Sequence, residues 1–278
     1  MDKNVIFRRC IVSVTAFLFT LLLLASLLLG VASTVVSKPY FMKVAKLSNY
    51  DNLAYDSLKQ ELSNLTIPSG LPSDFFEDKL NKSLFCDRVR ESFAADVTGV
   101  PTPYSAEEVK DEFYKLAYDF ALTQNRVVSD EAKVSLSGFA DECTTVYLRY
   151  SNPSSVKTVL SFTSPLAKPL LIALCGALII TAAALFLLIR LCHGRDLLKH
   201  LYFSFGGASL LLGVFPLLLL VTGEIKRISL TAKALHALAV SYIEGALKLM
   251  LAGAVLLLIT ALIFLIFDLK NSKQPSEN

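Results

Sequence analysis

Four apolar runs, each long enough to cross a lipid bilayer, constrain the fold of this chain more than any other feature. The hydrocarbon core of a bilayer is about 30 Å thick, and a helix of about 20 apolar residues crosses it. The runs of this length are residues 10–32, 166–189, 201–221 and 247–267. Their only charged residues, Lys168 and Lys248, lie near the ends of their runs, where a lysine side chain can reach the interface. The pattern predicts an all-α integral membrane protein with four transmembrane helices.

Composition argues against several other classes of protein. Of the 278 residues, 54% are hydrophobic and 18% are charged, whereas a soluble domain has about 45–50% and about 25%. Because the excess lies in the four long runs, composition disfavours a soluble enzyme. The net charge of +3 is too small to indicate a nucleic-acid-binding protein.

The distribution of lysine and arginine predicts which side of the membrane each terminus faces, because positive charge accumulates in short cytoplasmic segments. With the N-terminus inside, the cytoplasmic segments are residues 1–9, 190–200 and 268–278, which hold eight Lys/Arg. The short outer segment, residues 222–246, holds three. We therefore expect a multi-pass protein of the cell (plasma) membrane with both termini in the cytoplasm.

Residues 1–33 also fit the pattern of a secretory signal peptide. They have a basic start, an apolar middle and the small-residue end Val31-Ala-Ser33. Their apolar stretch of about 23 residues exceeds the 7–15 that are usual in a signal peptide, which favours an uncleaved helix. Cleavage would leave three spans and place the new N-terminus outside.

Residues 33–157, between the first two spans, form a predicted extracytoplasmic domain. They contain 14 Lys/Arg and 18 Asp/Glu, a net charge of −4. Apolar residues at three- and four-residue steps predict a first helix over Val44–Leu65. A second helix is expected to open near Ser73 and to end at Gly99, where glycine and prolines interrupt the pattern.

Two further helices are predicted in the same domain. Ser105 and Glu108 form a capping box, which predicts the start of the third helix. Ser129, followed by two acidic residues, predicts the start of the fourth, which Asn152 and Pro153 close. We expect these four helices to form an up-down bundle, since an even number returns the chain to the membrane.

Cys86 and Cys143 are the only cysteines in the predicted extracytoplasmic domain. In an oxidising compartment they could form a disulfide bond between the second and fourth helices. Because both lie on apolar helical faces, two buried thiols are the alternative.

The third span is interrupted by small residues and a proline. Ser209 and Gly213 are four residues apart, a spacing that allows two helices to approach closely. Pro216 is expected to kink the span. We expect these three residues to pack against another span, and a gating hinge is the alternative.

The outer segment 222–246 has helical apolar spacing from Ile225 to Tyr242, with three basic residues between. The pattern is typical of a basic amphipathic helix on the outer leaflet. The alternative is a helix that caps the base of the extracytoplasmic bundle.

Residues of catalytic type do not cluster in the sequence, and a cation site at its one acidic cluster is less favoured than a structural role. His193, His200 and His236 are the only histidines, and no spacing typical of a zinc site occurs. Acidic residues cluster near position 110, where they complement the start of the third predicted helix. The cluster consists of Glu107, Glu108, Asp111 and Glu112. We therefore predict no enzymatic activity, no cofactor and no metal site.

Residues 1–100 resemble a group of uncharacterised bacterial multi-span membrane proteins. The shared order is a span, an aromatic-led helix that contains Tyr40 and Tyr50, the segment Ser69–Pro72, and a helix that ends at Val97–Gly99. The resemblance implies a helical extracytoplasmic domain after the first of several spans and a bacterial cell envelope. It implies no functional residue.

Two functional hypotheses from different classes fit the sequence. In the first, a four-span anchor presents a helical interaction or sensing domain, whose partners are membrane lipid and another envelope protein. The second is a small-molecule or lipid transporter or a channel subunit. An apolar cavity between the spans would favour the second hypothesis, and a dry, tightly packed bundle would favour the first.

Overall fold

A computed structural model describes residues 3–124, 128–192, 194–230 and 232–272. Parts of the predicted cytoplasmic termini and His193 lie outside these ranges. The described chain is helical and contains no strand, which confirms the predicted all-α class. The α-helices, in chain order, are α1 (Lys3–Val35), α2 (Lys38–Leu47), α3 (Tyr50–Thr66), α4 (Lys82–Thr98), α5 (Ala106–Thr123), α6 (Asp130–Ser151), α7 (Ser154–Thr163), α8 (Ala167–Leu191), α9 (Arg195–Thr222) and α10 (Lys233–Ser272).

Four helical segments are long and apolar enough to cross a membrane. They lie in α1, in the run of helix that ends with α8, in α9 and in α10. This confirms the prediction of four candidate spans and is consistent with a multi-pass membrane protein. The side of the membrane that each terminus faces stays a prediction.

The chain divides into two compact units. The first, the membrane unit, consists of Met1–Tyr40, Pro165–Ile228 and Tyr242–Asn278. The second, the helical domain, consists of Phe41–Ser164 and Ser229–Ser241.

In the membrane unit, α1 packs against both α8 and α9. Phe19 of α1 is buried in an apolar cluster with Leu188 of α8 and Leu201 of α9. Its ring lies 5.9 Å from that of Phe205. Ser204 of α9 donates a hydrogen bond to a carbonyl oxygen of α1, at 3.2 Å. The first span is therefore part of the core of this unit.

The helical domain has six helices between α1 and α8, rather than the four that the sequence pattern predicts. The prediction of one helix over Val44–Leu65 is wrong. Asn49 adopts a left-handed backbone conformation (φ 55°), so the chain turns between α2 and α3. Leu47, expected on the apolar face, is consequently 71% exposed. The second additional helix, α7, leads towards the second span.

The predicted start of the second helix near Ser73 is also wrong. Turns occupy this region, and they bury Phe75 and Phe76. α4 begins only at Lys82, where the Asn81 side chain accepts a hydrogen bond from the amide of Leu84 at 3.1 Å. Two buried aromatic rings in turns explain the difference, because their burial outweighs the helical preference of the surrounding residues.

Other local signals predicted the helix ends correctly. The capping box of Ser105 and Glu108 is present at the start of α5. Ser129 caps α6 by accepting a hydrogen bond from the amide of Ala132. Gly99 ends α4 with a positive φ of 74°, a conformation that costs glycine little.

The segment between the third and fourth spans contains a short 3₁₀ helix, Glu224–Arg227. α10 then begins at Lys233 and continues without a break through Ala246 and Leu247, where the sequence pattern separates the amphipathic helix from the fourth span.

Candidate functional site

The candidate site is an exposed face of α5 in the helical domain, and an aromatic core holds this helix in position. Phe113 of α5 lies 5.9 Å from Phe76 and 5.8 Å from Tyr147 of α6, measured between ring centroids. Tyr147 also packs edge-to-face against Phe85 of α4, at 5.3 Å. Such pairs are worth about 0.5–1.5 kcal/mol each beyond their buried area. The core therefore joins α5 to both of its neighbours.

A single arginine adds polar contacts among the same three helices. The Arg88 guanidinium on α4 donates to both carboxylate oxygens of Glu112 on α5, at 2.6 and 2.9 Å. It also donates to the Tyr147 hydroxyl at 3.3 Å. The hydrogen bonds to Glu112 are the main reason that the pKa of Arg88 is raised above its ordinary value. The arginine side chain is 12% exposed and that of Glu112 is 48% exposed, so water screens this ion pair mainly from the Glu112 side.

A buried chain of hydroxyl groups links α4, the loop before α5 and the end of α6. The hydroxyls of Ser92 and Tyr104 lie 2.6 Å apart, and the Tyr104 hydroxyl lies 3.0 Å from that of Ser151. All three residues are buried. Because Tyr104 lies in the loop before α5, these bonds hold the loop that leads into α5.

The outward face of α5 carries two tyrosines and two carboxylates. Tyr114 and Tyr118, one turn apart, are stacked with ring centroids 5.9 Å apart and planes 19° apart. Leu122, one turn further on, is 49% exposed. Glu107 and Asp111 continue the same stripe towards the start of the helix. We name these five residues the α5 ridge.

The structure separates the acidic cluster of the sequence into different roles. Glu108 belongs to the capping box, and Glu112 pairs with Arg88. In the described part of the chain, Glu107 and Asp111 form no ion pair and are exposed. No group of three metal-ligating side chains occurs among the described residues. The acidic cluster therefore leaves two carboxylates free on the α5 ridge.

Cys86 and Cys143 are free, buried thiols in the structure, one on α4 and the other on α6. Burial raises the pKa of the Cys86 thiol. A thiol is a poor nucleophile until it loses its proton, so the arrangement disfavours reaction of Cys86 in the folded protein.

The small residues of the third span lie against the fourth. The Ser209 hydroxyl donates to the carbonyl oxygen of Ala254 at 2.8 Å. A Cβ atom at Gly213 would lie 3.1 Å from the Cβ of Ala254, closer than an ordinary contact. Pro216 is buried inside the continuous helix α9.

Sequence reasoning missed Arg88 and Tyr104. The signal that could have identified them is a polar stripe on α4, where Arg88, Ser92 and Asp96 recur every four residues within an otherwise amphipathic helix. Their partners lie up to 59 residues away along the chain, so the pattern alone does not identify them.

Comparison with known proteins assigns no family to the chain. No family model, no curated protein and no solved structure matches it. The resemblance of residues 1–100 to bacterial multi-span membrane proteins therefore stays a prediction.

Proposed function

We propose that this protein is a non-catalytic cell-envelope membrane protein that presents its helical domain outside the cytoplasm as an interaction module. The α5 ridge is its docking face. The observation that carries the proposal is the stacked, half-buried pair Tyr114 and Tyr118 on a helix that Arg88 and the aromatic core join to its neighbours. Tyrosine is enriched at protein interfaces because its large ring loses little conformational entropy on binding.

The acidic charge of the helical domain favours a basic partner. Residues 51–142 of the domain contain nine Lys/Arg and 18 Asp/Glu, and Glu107 and Asp111 lie beside the tyrosines without ion-pair partners in the described chain. Complementary charge steers association and selects among partners. The partner we propose is therefore a positively charged segment of another envelope protein.

Photo-crosslinking in intact cells tests this proposal. A photoreactive amino acid replaces Tyr118, and in a matched control it replaces Val134, which is 74% exposed on α6. We expect one discrete adduct from position 118 and none from position 134. Absence of an adduct at 118, or the same adduct from both positions, would overturn the proposal.

Charge reversal provides the second arm of the experiment. Glu107→Lys/Asp111→Lys should abolish the adduct at position 118. The control Glu91→Lys/Glu142→Lys changes the net charge of the domain equally at exposed carboxylates outside α5, and it should leave the adduct in place. Equal loss of the adduct in both variants would indicate a general charge effect. It would contradict the proposal that the α5 ridge is the docking face.

A lipid transporter or channel subunit is the second candidate function. The observation that favours it is an apolar cleft of about 320 Å³ between α1, α8 and α10 in the membrane unit. A cleft of this kind fits a hydrocarbon chain better than a hydrated solute.

A further inference from the structure

The apolar cleft of the membrane unit has the length of one acyl chain. Leucine and valine side chains of α1, α8 and α10 form its walls, and Gly30 and Gly253 also line it. A Cβ atom at Gly30 would lie 3.9 Å from the side chain of Leu174 across the cleft. The lining stretch of α1 runs from Leu23 to Thr34, about 16 Å at 1.5 Å per residue. That is close to half of the roughly 30 Å hydrocarbon thickness, the depth of one leaflet.

The polar groups that line the cleft are already satisfied by the protein. The hydroxyls of Ser26 and Thr181 lie 2.9 Å apart, and each is also within hydrogen-bond distance of the carbonyl oxygen four residues before it. Each hydroxyl has one proton, and either arrangement uses both protons within the protein. The Thr34 hydroxyl donates to the carbonyl oxygen of Gly30 at 2.8 Å. The lining hydroxyls therefore keep no proton for a ligand, so the occupant is hydrocarbon.

Lysines lie at one end of the cleft only. The contacts of Ser26 with Thr181 and of Gly30 with Leu174 show that α1 and α8 run antiparallel. Continuing this register places Lys168, at the start of α8, level with the end of α1, and Lys38 follows that end by three residues. Both lysines are exposed, and neither forms an ion pair in the described chain.

Lys248 belongs to the same end of the membrane unit but is already paired. Its ammonium group lies 3.1 Å from the carboxylate of Glu244. On the helices that line the cleft or just after them, the free positive charge at this end of the membrane unit is therefore that of Lys38 and Lys168. Lys226 is also exposed and without an ion pair in the described chain, but it follows α9, which does not line the cleft.

We propose that this cleft binds one acyl chain of an anionic phospholipid, whose phosphate is held by Lys38 and Lys168. The lipid belongs to the leaflet at the C-terminal end of α1. This inference rests on the membrane unit alone and does not depend on the α5 ridge, so either can fail without the other.

The headgroup is tested with the full-length protein in mild detergent. Native mass spectrometry compares the binding of phosphatidylglycerol with that of phosphatidylcholine carrying the same acyl chains. We expect one tightly held phosphatidylglycerol. Each lysine near an anionic lipid contributes about a fivefold preference, so Lys38→Gln/Lys168→Gln should lower the preference by about 25-fold. Lys270→Gln, at the opposite end of α10, is the matched control and should leave it unchanged.

The acyl-chain site is tested with leucine in place of two glycines. Gly30→Leu fills the cleft and should abolish the tightly held lipid. Gly176→Leu adds the same side chain on α8, where no atom lies within 4 Å of the added Cβ, and should retain the lipid.

Three results would overturn the proposal. These are equal retention of the two phospholipids by the unmodified protein, equal lipid retention by the two leucine variants, and an unchanged preference in the lysine double variant. Because the two lysines are exposed, the double variant decides the question even if Gly30→Leu does not fold.

Discussion

At the scale of single residues, one carboxylate oxygen of Asp96 on α4 is buried at a cost to stability. Its Oδ2 atom is inaccessible to solvent and has no hydrogen-bond partner. Burial raises the pKa of this carboxyl group above 3.8, its ordinary value, and nearby Lys157 offsets only part of the effect. The folded state therefore holds the proton more tightly than the unfolded chain does. It follows that this group lowers stability as the pH rises through the interval above 3.8.

Asp96→Asn should remove this pH-dependent cost. We expect the variant to unfold at a higher temperature than the unmodified protein at pH 7, and the difference to shrink as the pH falls towards 4. Thermal unfolding of the detergent-solubilised protein at several pH values measures both effects. Asp78→Asn, at an exposed carboxylate, is the control. A constant difference at every pH would contradict the argument.

The contrast between Ser105 and Ser92 shows which residue contacts the sequence can predict. Ser105 caps α5 together with Glu108, three residues away, so a local pattern is sufficient. Ser92 hydrogen-bonds to Tyr104, which in turn bonds to Ser151, 47 residues further along the chain. Nothing in the local spacing identifies such partners, because tertiary packing of three separate segments brings them together.

At the scale of helices, replacement by lysine is expected to destabilise the protein more at Arg88 than at Arg90, although both residues lie on α4. Arg88 is 12% exposed and donates two hydrogen bonds to Glu112 across to α5. Lysine keeps the charge but cannot form the paired contact, so Arg88→Lys should lower the free energy of unfolding by about 1–2 kcal/mol. The Arg90 guanidinium is 62% exposed, and both of its hydrogen bonds to Asp51 go to one oxygen of that residue, whose side chain is 13% exposed. Because a lysine can still reach that single oxygen, Arg90→Lys should change the free energy of unfolding by less than about 1 kcal/mol.

Denaturant titration of the two lysine variants, followed by circular dichroism in the same detergent, measures this difference. Equal destabilisation by the two substitutions would show that the paired contact of Arg88 with Glu112 adds nothing to the free energy of unfolding. The sequence alone does not distinguish the two arginines, because both lie in one amphipathic helix only two residues apart.

Gly213 determines how closely α9 and α10 approach in the membrane unit. A Cβ atom there would lie 3.1 Å from that of Ala254, so a leucine side chain must push the helices apart and break the hydrogen bond from Ser209. Overpacking of this kind costs about 1–3 kcal/mol. Gly213→Leu should lower the melting temperature in detergent, whereas Gly176→Leu, with open space at its Cβ, should not. An unchanged melting temperature for Gly213→Leu would contradict the close-packing interpretation.

The elements themselves were predictable to different degrees. Long apolar runs identify the four candidate spans, because the bilayer sets their length. The break at Asn49 and the late start of α4 were not predictable. At Asn49 the helical spacing of the apolar residues continues across the break, so the spacing does not reveal it. Before α4, turns that bury Phe75 and Phe76 occupy the stretch in which the spacing predicts helix.

At the scale of the whole molecule, the contacts of α1 bear on whether residues 1–33 are a cleaved signal peptide. A signal peptide is removed from the mature protein by cleavage. Its removal would also remove every contact between α1 and the other helices. In this structure α1 contributes Phe19 to an apolar cluster with α8 and α9, and Ser26 bonds to Thr181. Residue 33 also lies inside a helix that continues to Val35. Cleavage there would require the last turn of α1 to unfold.

We therefore predict that the protein in membranes retains its first span. An epitope tag at the N-terminus should remain on the full-length product, and intact-mass measurement should find no fragment that begins near residue 34. Ser26→Leu removes the hydrogen bond to Thr181 and places a larger side chain between α1 and α8. It should lower the melting temperature without releasing the tag, because the helix stays covalently attached. A mature product that lacks the tag would show that the remaining spans pack without α1, and it would remove one wall of the proposed lipid cleft.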